Sequence, residues 1–171
     1  MTVDYKYVAS YDIRKTLLNE LVDKGIIDLN DYVADGFTQP LQPILPAQQV
    51  PEFNNLLPGK TFVIYDITQS HGATQWWMSE DVITFDIVSR DPAEIQTIIN
   101  LATDLFRRYD DSAREINLSL VASSPYTYHY FKVESADPVQ AFANEGGFMN
   151  GMLSVRYAYT RELDPVTGRY A

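Results

Sequence analysis

The stretch Glu80–Arg108, EDVITFDIVSRDPAEIQTIINLATDLFRR, sets a strand directly before a helix and decides the class of the fold. Its first half alternates: Ile83, Phe85 and Ile87 oppose Thr84, Asp86 and Val88, the two-residue period of an antiparallel strand with one covered face. Then the period changes. Asp91-Pro92-Ala93-Glu94 reads as a helix start, with Asp91 as N-cap, Pro92 at the first helical position and Glu94 at capping-box spacing. Ile95, Ile98, Ile99, Ala102, Leu105 and Phe106 recur every three or four residues and form one apolar stripe. Arg107 and Arg108 follow at the negative end of the helix dipole, and the spacing predicts a helix to about Tyr109.

Upstream, Thr74–Arg90 reads as one long strand or as two joined by a bend near Ser79–Asp81, and Lys60–Thr68 as another strand. Between them Gln69–Ala73, polar and holding Gly72, reads as a turn. Before these, Phe37–Gly59 contains Pro40, Pro43, Pro46, Pro51 and Pro58, which interrupt ladders and helices alike, while Leu41, Ile44, Leu45 and Val50 keep it apolar. It is expected to be an extended arm on the chain's own surface or on a neighbour's. Near the beginning, Ile13, Leu17, Leu18, Leu21 and Val22 share one face of a helix capped by Ser10, running to about Lys24 and stopped by Gly25. Leu29–Ala34 adds a short helical turn.

Downstream, Asp111–Ser124 reads as a loop with one helical turn at Ser112–Ile116. Tyr126–Glu134 alternates as a strand, with Tyr126, Tyr128 and Tyr130 on one side. Ala136–Asn150 reads as irregular, Met152–Leu163 as the last strand, and Asp164–Ala171 as a loose polar tail. The sum is one α+β domain over residues 1–171: an antiparallel sheet of four or five strands with two main helices on one face.

The chain has 171 residues, and its 23 acidic against 13 basic side chains give a net charge of −10, so its surface repels phosphate. No cysteine is present, which excludes disulfides, thiolate metal sites and a cysteine nucleophile. Met1–Ser10 has no apolar core and contains Asp4, so no secretory signal is expected, and no apolar run has the length of a membrane-crossing helix.

Chemistry is hard to find. A serine nucleophile needs a base, and the two histidines, His71 and His129, stand in no nucleophile-elbow setting. His71 reads as a solvated turn residue and His129 as a packed ring bonded to a neighbour. Asp28, Asn30 and Asp31 approach a calcium loop but nothing downstream completes one, so they read as polar cover on a turn. Gly146-Gly147 lacks the Lys and Ser/Thr of a phosphate loop. Catalytic, metal and cofactor sites are therefore expected to be absent. The aromatic share of 13%, with 12 tyrosines, turns attention to surfaces instead, since aromatic residues fill both strands and interfaces. Candidate subunit-interface residues are Trp76, Trp77, Tyr126, Tyr128, Tyr130, Tyr157, Tyr159 and the arm's Leu41, Ile44 and Leu45. Asp66 and Asp86, acids in the middle of strands, are candidates for solvent, a subunit contact or a lumen.

One resemblance runs along most of the chain. KTFVIYD at Lys60–Asp66, Trp76-Trp77-Met78 leading into EDVITFDIV at Glu80–Val88, and the helix Asp91–Arg108 followed by Tyr109-Asp110-Asp111-Ser112-Ala113 with Asn117 form its first part. LSVRYAYTR at Leu153–Arg161 and Gly168-Arg169 form its second. In order and flavour these segments resemble the tail-completion and tail-terminator proteins of tailed bacteriophages, over about Thr61 to Gly168. The resemblance implies a small α+β subunit without catalytic residues or cofactors. It implies a homo-oligomeric ring, a hexamer in that family, that caps the tail tube and joins it to the neck and connector, and meets the sheath where the tail is contractile. DNA would pass through without specific binding, the proline arm would reach a neighbouring subunit, and the protein would sit in the virion after assembly in the host cytoplasm. Another neck or head-completion subunit, a connector or stopper, is the close alternative. A small-molecule-binding or hydrolytic domain using His71 and Asp66, and a non-viral oligomeric scaffold, are the rivals from other classes.

Overall fold

The computed structural model describes residues 8–75, 78–120, 124–141 and 146–161, and side chains there apart from those of 69–75 and 138–141. Helix α1 (Ala9–Asp23) comes first, then strand β1 (Ile44–Pro46), helix α2 (Val50–Leu56) and the strands β2 (Phe62–Gln75) and β3 (Met78–Ser89). Helices α3 (Pro92–Phe106) and α4 (Asp110–Leu120) follow, and strands β4 (Tyr126–Ala141) and β5 (Met149–Arg161) complete the fold. The five strands form one sheet in the order β1-β2-β3-β5-β4. Every pairing is antiparallel except β1 with β2, so the fold is α+β with a mostly antiparallel, mixed sheet.

The core lies on one face. Val63, Ile83, Phe85, Ile87, Phe131, Leu153, Val155 and Tyr157 project there and are buried against Ile13, Leu17 and Leu21 of α1, Ile95, Ile98, Ile99, Ala102 and Phe106 of α3, and Ala113, Ile116 and Leu120 of α4. The approach of α3 is close enough to need a glycine: a Cβ at Gly151 of β5 would stand 2.7 Å from side-chain carbons of both Ile95 and Ile99.

The ends of the helices correct the expected caps. Helix α1 starts at Ala9, with Val8 as N-cap and no side chain closing it, so Ser10 lies inside the first turn and is buried. At its other end Gly25, at φ 67°, donates to the Val22 carbonyl while Ile26 donates to Leu21, the paired bonds of a Schellman motif. Asp91 caps α3 as expected, accepting from the Ala93 N–H at 2.9 Å. Glu94 does not close a capping box. Its carboxylate takes the hydroxyls of Thr61 and Ser89, and Ser89 Oγ accepts the Asp91 N–H in its place. Asp28 caps a 3-10 turn over Leu29–Tyr32 by accepting from Asn30, in keeping with polar cover.

Four further expectations give way. The proline-rich arm lies on its own chain, one of the two placements expected, but it is not simply extended: it holds β1, a second 3-10 turn and α2, and buries Ile44, Leu45, Phe53 and Leu57. Gln69–Ala73 is strand rather than turn: β2 runs to Gln75, which pairs with Met78 of β3. Asp111–Ser124 is mostly the helix α4, which reaches Leu120. Part of Ala136–Asn150 is strand as well, since β4 reaches Ala141 and β5 begins at Met149.

Candidate functional site

The face of the sheet turned away from α1, α3 and α4 is the most distinctive surface. Side chains alternate along a strand and paired residues share a face, so the register assigns its rows. Asp66, Thr84, Ser154 and Ser135 form one row, and Ile64, Asp86, Met152 and Asp137 the next. Val82, Arg156 and Lys132 form a third, and Glu80, Ala158 and Tyr130 a fourth. The side chains tie to one another across the strands. Thr68 Oγ1 lies 3.1 Å from Thr84 Oγ1, which lies 3.0 Å from Ser154 Oγ. The Asn150 amide donates to Asp86 at 2.8 Å.

An ion network closes one end of this face. Arg156 of β5 bonds Glu80 of β3 at 2.5 Å and Glu134 of β4 at 3.0 Å, and the Tyr130 hydroxyl donates to Glu80. Lys132 stands 3.2 Å from Glu134. The Arg156 bond, with a smaller share from Lys132, holds the Glu134 carboxyl below its usual range. Burial and then the bond to Glu80 push the Tyr130 phenol up to about 12. Burial also raises the Asp86 carboxyl, against a smaller opposing pull from its Asn150 bond. Five carboxylates, Asp66, Asp86, Asp137, Glu80 and Glu134, thus share a face with the bases Arg156 and Lys132.

The tyrosines divide. A register shift between Tyr128 and Tyr130 breaks the expected alternation, so Tyr128 and Phe131 both enter the core while Tyr130 turns to the open face and packs near Tyr109. Tyr128 donates to the Ala9 carbonyl and to the fully buried Asp12, which also takes the Ser124 hydroxyl, so this ring anchors the start of α1. Tyr159 donates to the buried Asp81 at 2.8 Å, with Tyr157 beside it, and burial first and Asp81 second raise both phenols. Tyr126 meets Tyr159 edge-on. Tyr128, Tyr157, Ile44 and Leu45 are therefore core residues of this chain, not interface residues, while Leu41 and Tyr159 are half-buried against that core. Trp76 and Trp77 lie outside the described residues.

The acids behave differently: Asp66 is exposed and Asp86 half-buried, and both project from the open face. His129 sits at the register shift, its Nε2 3.0 Å from Thr160 Oγ1, and burial lowers its pKa. The side chain of His71 lies outside the described ones. A shallow groove of about 260 Å³ between α1 and α4 is lined by Lys15, Asn19, Glu20 and Glu115 among others, and Asp66 and His129 are not part of it. Among the described residues no three His, Asp or Glu side chains are grouped to hold a metal ion, and no helix is long and apolar enough to cross a membrane.

The network of Glu80, Glu134 and Arg156 was not singled out from the sequence. The only signal for it was the alternation that puts Arg156 out of step with Val155 and Tyr157. No protein-family model matches this chain, and no curated protein matches it.

Proposed function

We propose that this chain is a structural subunit of a phage neck, a tail terminator working as a ring that caps the tail tube and offers a docking face to the connector. One observation carries the reading. Both acids singled out in the strands, Asp66 and Asp86, lie on the same open sheet face, among hydroxyls and three further carboxylates, and the bases Arg156 and Lys132 beside them leave the face acidic on balance. Such a face suits the wall of a passage for DNA, because fixed negative charge lowers the local concentration of phosphate and prevents sticking. Cross-strand bonds hold Asp86, Glu80, Glu134 and the hydroxyls in place, so that part of the face keeps its shape without a ligand. The segment order that resembles tail terminators supplies the rest of the reading.

The test is to mix the purified chain with tail tubes assembled in its absence and to image the ends by electron microscopy. Rings at tube ends that stop further growth, with the open face toward the bore, are the expected result. Tubes that lengthen unchanged, with no density at their ends, would sink the proposal.

A further inference from the structure

We propose that the outer edge of β2, from Asp66 to Gln75, pairs with the same edge of a second copy of this chain. β2 is 14 residues long, yet β1 lies only along Val63–Tyr65 of its outer side. From Asp66 onward no described strand lies against that side. Natural sheets blunt such edges unless they use them, because a row of free N–H and C=O groups is a template for another strand.

The other edges are blunted. β1 is three residues long and ends on Pro46. On β4 the Asn117 side chain takes both the N–H and the C=O of Tyr128, at 2.9 and 2.8 Å, and the Phe131 N–H donates to the Tyr109 carbonyl. The outer half of β4 carries Pro138, which has no N–H to offer.

Charge selects the occupant. Residues 67–79 contain no Asp, Glu, Lys or Arg, in a chain whose net charge is −10. Two copies repel one another over most of their surfaces, and laying this edge antiparallel on itself sets Asp66, its one acid, opposite the uncharged Gln75 end of the other copy, so no like charges meet. Register shifts at Ile67/Gln69, Ser70/Ala73 and Ala73/Gln75 partly blunt this edge too, and they confine the contact to the short runs between them. An edge paired with itself makes a two-fold contact, which on its own yields dimers rather than a closed ring of six.

The test combines sedimentation over a range of concentrations with amide hydrogen exchange, on the whole chain and on two variants. One is Thr68→Glu with Thr74→Glu, on the edge; the other is Gln96→Glu with Asn100→Glu, equal in charge and exposed on α3, away from β2. The parent is expected to dimerise as concentration rises, with amides of 66–75 gaining protection. The edge variant should need about tenfold more protein to dimerise, as like charges brought opposite one another predict, and the control should match the parent. A parent that stays monomeric throughout overturns the proposal. So does association that leaves the 66–75 amides unprotected, and rings on tube ends in either case would leave the functional reading standing.

Discussion

Gly151 is where a single atom matters most. Its missing Cβ leaves room for Ile95 and Ile99, so Gly151→Ala should cost about 1–3 kcal/mol by overpacking a filled core, measured by urea unfolding. Adding Ile99→Val removes one of the two clashing carbons, and the double variant should recover part of the loss. Asp86 and Glu134 should respond to pH in opposite senses. The Asp86 carboxyl is raised on folding, so it binds its proton more tightly when folded and costs stability as pH climbs through the carboxylate range. Asp86→Asn is therefore expected to be more stable than the parent at neutral pH, with the gap closing as pH falls. The Glu134 carboxyl is lowered by Arg156, so its contribution is present above the ordinary carboxylate value and lost as pH falls through its own. Glu134→Gln should weaken the neutral protein and leave the acidic one unchanged. Unfolding curves across that range check both, and parallel pH profiles would contradict them.

At the scale of elements, α4 holds the β4 edge through one side chain. Asn117→Ala strips both bonds from the Tyr128 backbone and should cost about 1–2 kcal/mol, with faster hydrogen exchange at Tyr128 than at Leu153 in the sheet centre. The same element shows what could be read in advance. Helix α3 announced itself through Asp91-Pro92 and its isoleucine stripe, because cap and period agreed. Helix α4 was legible in Ala113, Ile116 and Leu120 at helical intervals, but its acidic, serine-bearing start reads as loop. In the arm, prolines concealed structure that tolerates them, since Pro51 sits in the first turn of α2 and Pro46 ends β1. The tyrosine alternation failed for a different reason. A register shift adds a residue that no periodicity announces, and it sent Tyr128 and Tyr130 to opposite faces. The ion network was hidden more deeply, because Glu80 and Arg156 are 76 positions apart and meet only once the strand order is known.

For the whole molecule, the acidic open face makes a charge prediction. The parent chain should not retard duplex DNA in a native gel at low salt, whereas Asp66→Lys with Asp137→Lys should retard it weakly and lose the effect as salt rises. Retardation by the parent would contradict a passage wall that DNA slides past. The strand order also bears on how the chain reaches its native state. β2 with β3, and β4 with β5, are neighbours in sequence, whereas the seam between β3 and β5 joins Thr84 to Ser154 across 70 positions. Closing so long a loop is slow relative to making a hairpin. The two hairpins are thus expected to form early and separately, with the seam as the late, rate-setting event. Weakening it should slow refolding more than weakening the Tyr126–Arg161 end of the β4–β5 pair does, a comparison that stopped-flow fluorescence can make.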